Sequence, residues 1–180
     1  PGTSGWSGVA LPWMAFGYGV SVTPLQTLTL YNAVANNGVM VKPIFVSEIK
    51  EWNKTIKKYD PQVINPKICS DETLLKVRKV LENVVKNGTG KGLYSPDFSM
   101  AGKTGTAQVN YSKAEMSYAS SFVGYFPADQ PKYSCIVVVH NPDKSKGYYG
   151  ADVAGPVFKR IAQKIFTDVP STNKFKSIKL

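Results

Sequence analysis

The sequence predicts an α+β fold, an antiparallel sheet with helices packed on it. Two observations carry this. The β-rich runs 120–126 and 133–140 are separated by Pro127-Ala128-Asp129-Gln130-Pro131, a hairpin turn by composition. Two segments, 71–86 and 156–166, instead carry apolar residues at helical spacing behind good start signals.

In chain order, residues 1–23 are rich in Gly, Ser, Trp and Pro and read as a loop entering a helix. Thr23 is a good N-cap and Pro24 suits the first helical position. Leu25, Leu28, Leu30, Tyr31, Ala33, Val34 and Ala35 make the helix apolar on nearly every turn, so it reads as buried on most sides until Asn37-Gly38 stops it. The runs 39–41, 44–49 and 55–59 read as short strands, the last two turning at Asn53-Lys54: a small, lysine-decorated, partly exposed strand pair within 39–60.

Ser70 caps the next helix, with Asp71 and Glu72 favourable in its first turn. Leu74, Val77, Leu81 and Val84 form its stripe, and Lys76, Lys79, Glu82 and Asn83 face water. Gly88-Thr89-Gly90-Lys91-Gly92 reads as a flexible loop. The run 98–109 is extended, 120–126 alternates and 133–140 is continuously apolar, as a buried strand would be. After a Gly-rich stretch, Pro156 opens a closing helix with Phe158, Ile161, Ala162 and Ile165 inward.

Composition narrows the function classes. The 180 residues, 43% hydrophobic and 12% aromatic, suffice for one compact domain and exclude disorder. The longest plain apolar run, 135–139, is far short of a bilayer span. The opening Pro1, with no signal peptide behind it, reads as a piece of a longer polypeptide. Lys+Arg number 22 against 12 Asp+Glu, but the lysines are scattered and match no nucleic-acid module, so no nucleic-acid partner is expected. One histidine, His140, and two cysteines with no CxxC spacing argue against a zinc or haem site, and no metal or cofactor is expected. Cys69 and Cys135 are the right number for one bridge, but the apolar run around Cys135 reads as a packed thiol.

The chemistry concentrates in Gly102-Lys103-Thr104-Gly105-Thr106. GK[ST] also ends the P-loop pattern, but position 97, where that pattern needs glycine, is Asp97, and residues 107–111 read as extended rather than helical. The K-T-G-[ST] element of penicillin-recognising serine enzymes fits better. On a strand, Lys103 and Gly105 face one way and Thr104 and Thr106 the other. A fixed ammonium and hydroxyls suit a carboxylate, and Gly105 lets a ligand backbone lie against the strand.

Ala101-Gly102-Lys103-Thr104-Gly105-Thr106-Ala107-Gln108 resembles the third active-site motif of class B penicillin-binding proteins, the D,D-transpeptidases of peptidoglycan synthesis. Further segments agree: Gly17-Tyr18-Gly19-Val20-Ser21-Val22-Thr23-Pro24-Leu25-Gln26 leading to Asn36-Asn37-Gly38, Val84-Val85 with Gly88-Thr89-Gly90-Lys91, Phe122-Val123-Gly124-Tyr125-Phe126-Pro127, and Tyr149-Gly150 with Ala154-Gly155-Pro156-Val157-Phe158. The wording of the Thr23–Gln26 and K-T-G segments resembles the division (septal) branch.

The resemblance implies a penicillin-binding, serine β-lactamase-like fold, of which residues 1–180 are the C-terminal portion: the strand pair, then the K-T-G strand, closing sheet and helix over 98–167. It implies a serine acyl-enzyme formed on D-Ala-D-Ala stem peptides and mimicked by β-lactam antibiotics, on the extracytoplasmic (periplasmic) face of the inner membrane. It further implies an anchor outside this chain and cell-division protein partners of the parent. Lys103, Thr104, Gly105 and Thr106 would bind substrate. Lys103 would also shape proton traffic, and the Thr106 N–H would complete the oxyanion hole. Tyr125, Gln108 and Tyr149 read as packing residues without a role.

The family's nucleophile motif, S-x-x-K, and its S-x-N motif belong upstream of the K-T-G strand. Ser47-Glu48-Ile49-Lys50 fits S-x-x-K in letters, but strand alternation puts Ser47 and Lys50 on opposite faces. Ser171-Thr172-Asn173-Lys174 sits in a polar tail after the last helix. Neither is taken as the site, so the nucleophile is expected outside this chain and the chain alone is expected to be inactive. A β-lactamase-type hydrolase and a non-catalytic β-lactam-sensing or binding module are the alternatives.

Overall fold

A computed structural model describes residues 6–15, 17–109 and 116–168. A three-stranded antiparallel sheet forms its centre, in the order β5 (Ala101–Val109), β6 (Ser117–Phe126), β7 (Tyr133–His140). Ahead of it come α1 (Ala10–Ala15), α2 (Pro24–Ala35), β1 (Met40–Val41), β2 (Glu48–Glu51), β3 (Lys54–Lys58), β4 (Val63–Asn65) and α3 (Asp71–Lys86). A 3-10 turn, Lys91–Leu93, leads into β5, and α4 (Gly150–Val153) and α5 (Gly155–Asp168) close the fold.

Helices cover both faces of the sheet. On one face Phe158 and Ala162 of α5 pack on Phe122 and Phe126 of β6, joined by Val85, Leu93, Phe98 and Met100. On the other, Val34 of α2 and Leu74 and Leu81 of α3 pack on Ala101, Tyr125 and Ala128. Each such large side chain contributes about 1.5–3 kcal/mol when fully buried. Burial pushes the Tyr125 phenol up to about 12, so it is neutral in the folded chain.

The helix starts follow local chemistry. The Thr23 hydroxyl accepts the Gln26 N–H at 3.2 Å while the Gln26 side chain accepts the Thr23 N–H at 2.8 Å, a complete capping box. Ser70 Oγ accepts the Thr73 N–H at 3.2 Å. At the other end of α2, Arg78 of α3 donates Nε to the Val34 carbonyl (2.9 Å) and Nη2 to that of Ala35 (2.7 Å). One guanidinium thereby ties the two helices together.

Several expectations fail for identifiable reasons. Residues 10–15 are helical, with Pro12 in the first turn, where a missing N–H costs no intrahelical bond. α2 is not buried on most sides: only Ala33 and Val34 are, while Leu25 and Leu30 are 39% and 48% exposed. In the first strand pair β2 begins only at Glu48, and Trp52 turns the chain with φ 55° while 95% exposed. β4, three residues long and paired with β1, has too little sequence to show a period. β6 does not alternate in burial towards its end, because as the middle strand it has helices on both faces, and β7 is only half-buried because no strand among the described residues pairs with its other side. In α3 it is Val85 rather than Val84 that is fully buried, and in α5 Ile161 is exposed. Cys69 and Cys135 are both free thiols. No helix among the described residues is long and apolar enough to cross a membrane.

Candidate active site

β5 is an outer strand, paired with β6 on one side and with nothing among the described residues on the other. Which backbone groups line that open edge follows from its neighbours. A Cβ placed on Gly150 would lie 2.3 Å from the Ser121 carbonyl oxygen, 2.5 Å from that of Gly105 and 3.1 Å from the Gly105 nitrogen. Those atoms meet beneath Gly150 because Gly105 and Ser121, opposite each other in the register, turn their peptide groups toward one another. Successive residues point in opposite directions, so the N–H and C=O of Thr104 and Thr106 project from the open edge. The lysine agrees: Lys103 Nζ donates to the Thr104 carbonyl at 2.9 Å.

The side chains alternate as the sequence requires. Thr104 and Thr106 lie opposite Phe122 and Ser120, on the α5 face, and Lys103 lies opposite Val123 on the α3 face. The lysine is long and exposed, however, and its ammonium comes round the edge to sit 3.3 Å from Thr104 Oγ1. Lys103, Thr104 and Thr106 thus gather at one edge. Gly105 lies opposite Ser121, whose hydroxyl would stand 2.5 Å from an added Cβ.

Two contributors escaped the sequence reading. The Gly150 N–H, at the start of α4, donates to Thr106 Oγ1 at 3.0 Å. That bond takes one lone pair of the hydroxyl and leaves its proton free to be donated outward. The second is Thr89, whose Oγ1 stands 3.2 Å from Thr104 Oγ1. Its loop is not a free one. The Gly90 N–H bonds the Val84 carbonyl at 2.9 Å, the Lys91 N–H bonds that of Gly88 at 3.1 Å, and Gly90 is buried. Both residues lie in segments that carry the family resemblance, but nothing in the sequence singled out either one for a contact with the K-T-G strand.

An aromatic group flanks the Thr106 end. Tyr118 and Tyr148 stack at 4.5 Å between centroids, Tyr148 donates its hydroxyl to that of Tyr149 at 3.1 Å, and the Lys144 ammonium lies 5.6 Å from the Tyr118 ring centroid. Tyr149 is 55% exposed, so it is not the packing residue expected; Tyr125 is one. Lys50 pairs with Glu48 at 2.7 Å, two residues away on the same side of β2, which leaves Ser47 without its lysine. Ser171 and Lys174 lie outside the described residues. Among the described residues no cluster of His, Cys, Asp and Glu is arranged to hold a metal ion.

A family model described as penicillin binding protein transpeptidase domain matches residues 2–163. The chain is 39% identical over 154 residues to stage V sporulation protein D of Bacillus subtilis, covering 82% of this chain and 23% of that protein. It is 34% identical over 163 residues to the peptidoglycan D,D-transpeptidase FtsI of Buchnera aphidicola, covering 89% and 27%. The chain therefore spans about a quarter of the length of the curated relatives it matches. Among solved structures it is similar to apo penicillin binding protein 3 from Mycobacterium tuberculosis, with a TM-score of 0.77, 32% identity, and coverage of 91% of this chain and 39% of that one. Its ampicillin complex gives a TM-score of 0.76 at 31% identity, covering 93% and 40%.

Proposed function

Because the chain belongs to the penicillin-binding-protein transpeptidase family, we propose that it is the C-terminal portion of a serine D,D-transpeptidase domain and supplies that enzyme's substrate-binding edge. The observation that carries this reading is the open edge of β5, which presents the Thr104 and Thr106 peptide groups, the Lys103 ammonium and two threonine hydroxyls together. A peptide ending in D-Ala-D-Ala docks along that edge as an added strand, its carboxylate facing Lys103, Thr104 and Thr106.

A serine outside these residues attacks the penultimate carbonyl, and its proton passes to the departing D-alanine. The oxyanion that forms is held by the Thr106 N–H, and losing one such donor costs about 2.7–4 kcal/mol of transition-state stabilisation. An amine of a neighbouring stem peptide then takes the acyl group, freeing the serine. Lys103 provides the positive field that holds the carboxylate and assists proton transfer. The Thr106 hydroxyl, already accepting from Gly150, donates to the carboxylate.

β-Lactams enter the same edge as mimics of the dipeptide, a reading supported by the ampicillin complex of the Mycobacterium tuberculosis relative. Cross-linking of peptidoglycan stem peptides supports a position on the extracytoplasmic side, where the parent protein acts with division partners. Relatives named FtsI support a division role. The 39% identity to a stage V sporulation protein supports a second reading, the same chemistry used in sporulation.

The test is covalent labelling with a fluorescent penicillin. The full-length protein takes up one equivalent at a serine outside this chain, releases it slowly as a transpeptidase rather than a β-lactamase does, and loses labelling with Lys103→Ala. The 180-residue chain alone takes up none. A stoichiometric adduct on Ser47 or Ser171 would overturn the proposal.

A further inference from the structure

Thr89 has no part in the chemistry above, yet its placement is tightly specified. α3 ends at Lys86, and the chain then turns through Gly88 and Gly90 to bring Thr89 against β5. A Cβ on Gly88 would stand 2.9 Å from the Val84 Cα, and one on Gly90 would stand 3.2 Å from the Val84 carbonyl oxygen. The Gly88 N–H bonds the Asn83 carbonyl at 3.0 Å and the Gly90 N–H bonds that of Val84 at 2.9 Å. The turn is thus seated on α3 itself, one of the helices that carry the sheet. What it delivers is one exposed hydroxyl, 3.2 Å from Thr104 Oγ1.

That hydroxyl meets a side chain with two tasks. Thr104 Oγ1 also stands 3.3 Å from the Lys103 ammonium, which has only protons to offer. To accept from the ammonium, Thr104 must turn its own proton elsewhere, and Thr89 Oγ1 is the acceptor at hand. We propose that Thr89 is a positioning residue for the K-T-G element: its hydroxyl accepts a hydrogen bond from the Thr104 hydroxyl, fixes the Thr104 rotamer, and so holds the Lys103 ammonium at the open edge of β5. The assignment rests on the transpeptidase reading for its purpose, though not for its geometry.

Two substitutions separate the hydroxyl from the shape of the side chain. Thr89→Val keeps the branched shape and removes the oxygen; Thr89→Ser keeps the oxygen and removes the methyl. In the 180-residue chain, three-bond couplings to the Thr104 methyl report its rotamer. They show a single rotamer in the wild type and Thr89→Ser and averaged values in Thr89→Val. In the full-length protein, Thr89→Val slows acylation by a carboxylate-bearing penicillin about 3- to 10-fold, the range of one net hydrogen bond, and Thr89→Ser stays within about 2-fold. A purely structural role gives the opposite order, with valine tolerated and serine impaired, and overturns the proposal. So does a single Thr104 rotamer in all three proteins. If the full-length wild type takes up no penicillin, the transpeptidase reading fails, while the rotamer measurement still decides whether Thr89 orders Thr104.

Discussion

Gly150→Ala tests how the segment after β7 is seated on the K-T-G strand. The added methyl would lie 2.3 and 2.5 Å from the Ser121 and Gly105 carbonyl oxygens, both main-chain atoms locked into the β5–β6 pair. No side chain can rotate away to make room, so the α4 start must lift. Overpacking of this kind costs about 1–3 kcal/mol. Lifting also breaks the 3.0 Å bond from the Gly150 N–H to Thr106 Oγ1, worth about 0.5–1.5 kcal/mol. Together these give about 1.5–4.5 kcal/mol, or a fall in Tm of roughly 3–18 °C for a chain of this size. Urea denaturation of the variant and wild type measures it. Gly92→Ala is the control: no atom lies within 4 Å of its added methyl, so its stability stays within about 0.5 kcal/mol of wild type. A Gly150→Ala variant as stable as that control would refute the seating, and with it the claim that Gly150 orients the Thr106 hydroxyl.

Three further outcomes follow from the same structure. Arg78→Ala removes three hydrogen bonds to the end of α2, at Val34, Ala35 and Asn37, and should cost about 2–3 kcal/mol in urea denaturation, with Arg78→Lys restoring little of it. The Ser99 hydroxyl, 2.5 Å from Asp129 Oδ1, holds the Asp129 carboxyl below the usual carboxylate range. A lowered folded-state pKa contributes stability that is present above the unfolded value, about 3.9, and is lost as pH falls through the folded one. The stability gap between wild type and Ser99→Ala should therefore be wider at pH 7 than at pH 2.5, and a gap that does not narrow contradicts the assignment. Trp52→Gly relieves a left-handed residue that is 95% exposed, so it should raise stability by about 0.5–1 kcal/mol, whereas a loss would show that the indole packs.

What the sequence made legible was local. Thr23 and Ser70 were readable as caps because a capping hydroxyl bonds an N–H only three residues on. Lys103, Thr104 and Thr106 stood out by the K-T-G motif, and strand alternation separated the lysine from the threonines, whereas the folded chain brings its ammonium round the edge to Thr104. Strand order was not readable. Nothing in the runs 120–126 and 133–140 says that the first is the middle strand and that the second pairs on one side only among the described residues, yet that difference decides their burial. The apolar face of α2 gave the wrong burial for a related reason, since composition shows what is apolar but not what covers it. Gly150 and Thr89 meet the site across 44 and 15 residues of chain, contacts that only the tertiary fold creates.

The central claim is that the open edge of β5 binds the substrate carboxylate, and it is tested most directly by two substitutions and two ligands in the full-length protein. Lys103→Ala removes the ammonium; Thr106→Ala removes one hydroxyl and keeps the backbone N–H. The second-order acylation rate is measured for a penicillin with a free carboxylate and for its ester. A hydrogen bond to a charged group is worth about 1.5–3 kcal/mol, so Thr106→Ala should slow the free acid about 10- to 100-fold and affect the ester much less. Lys103→Ala should cost more than Thr106→Ala with either ligand. Equal losses on acid and ester for Thr106→Ala, or a nearly silent Lys103→Ala, would contradict the account.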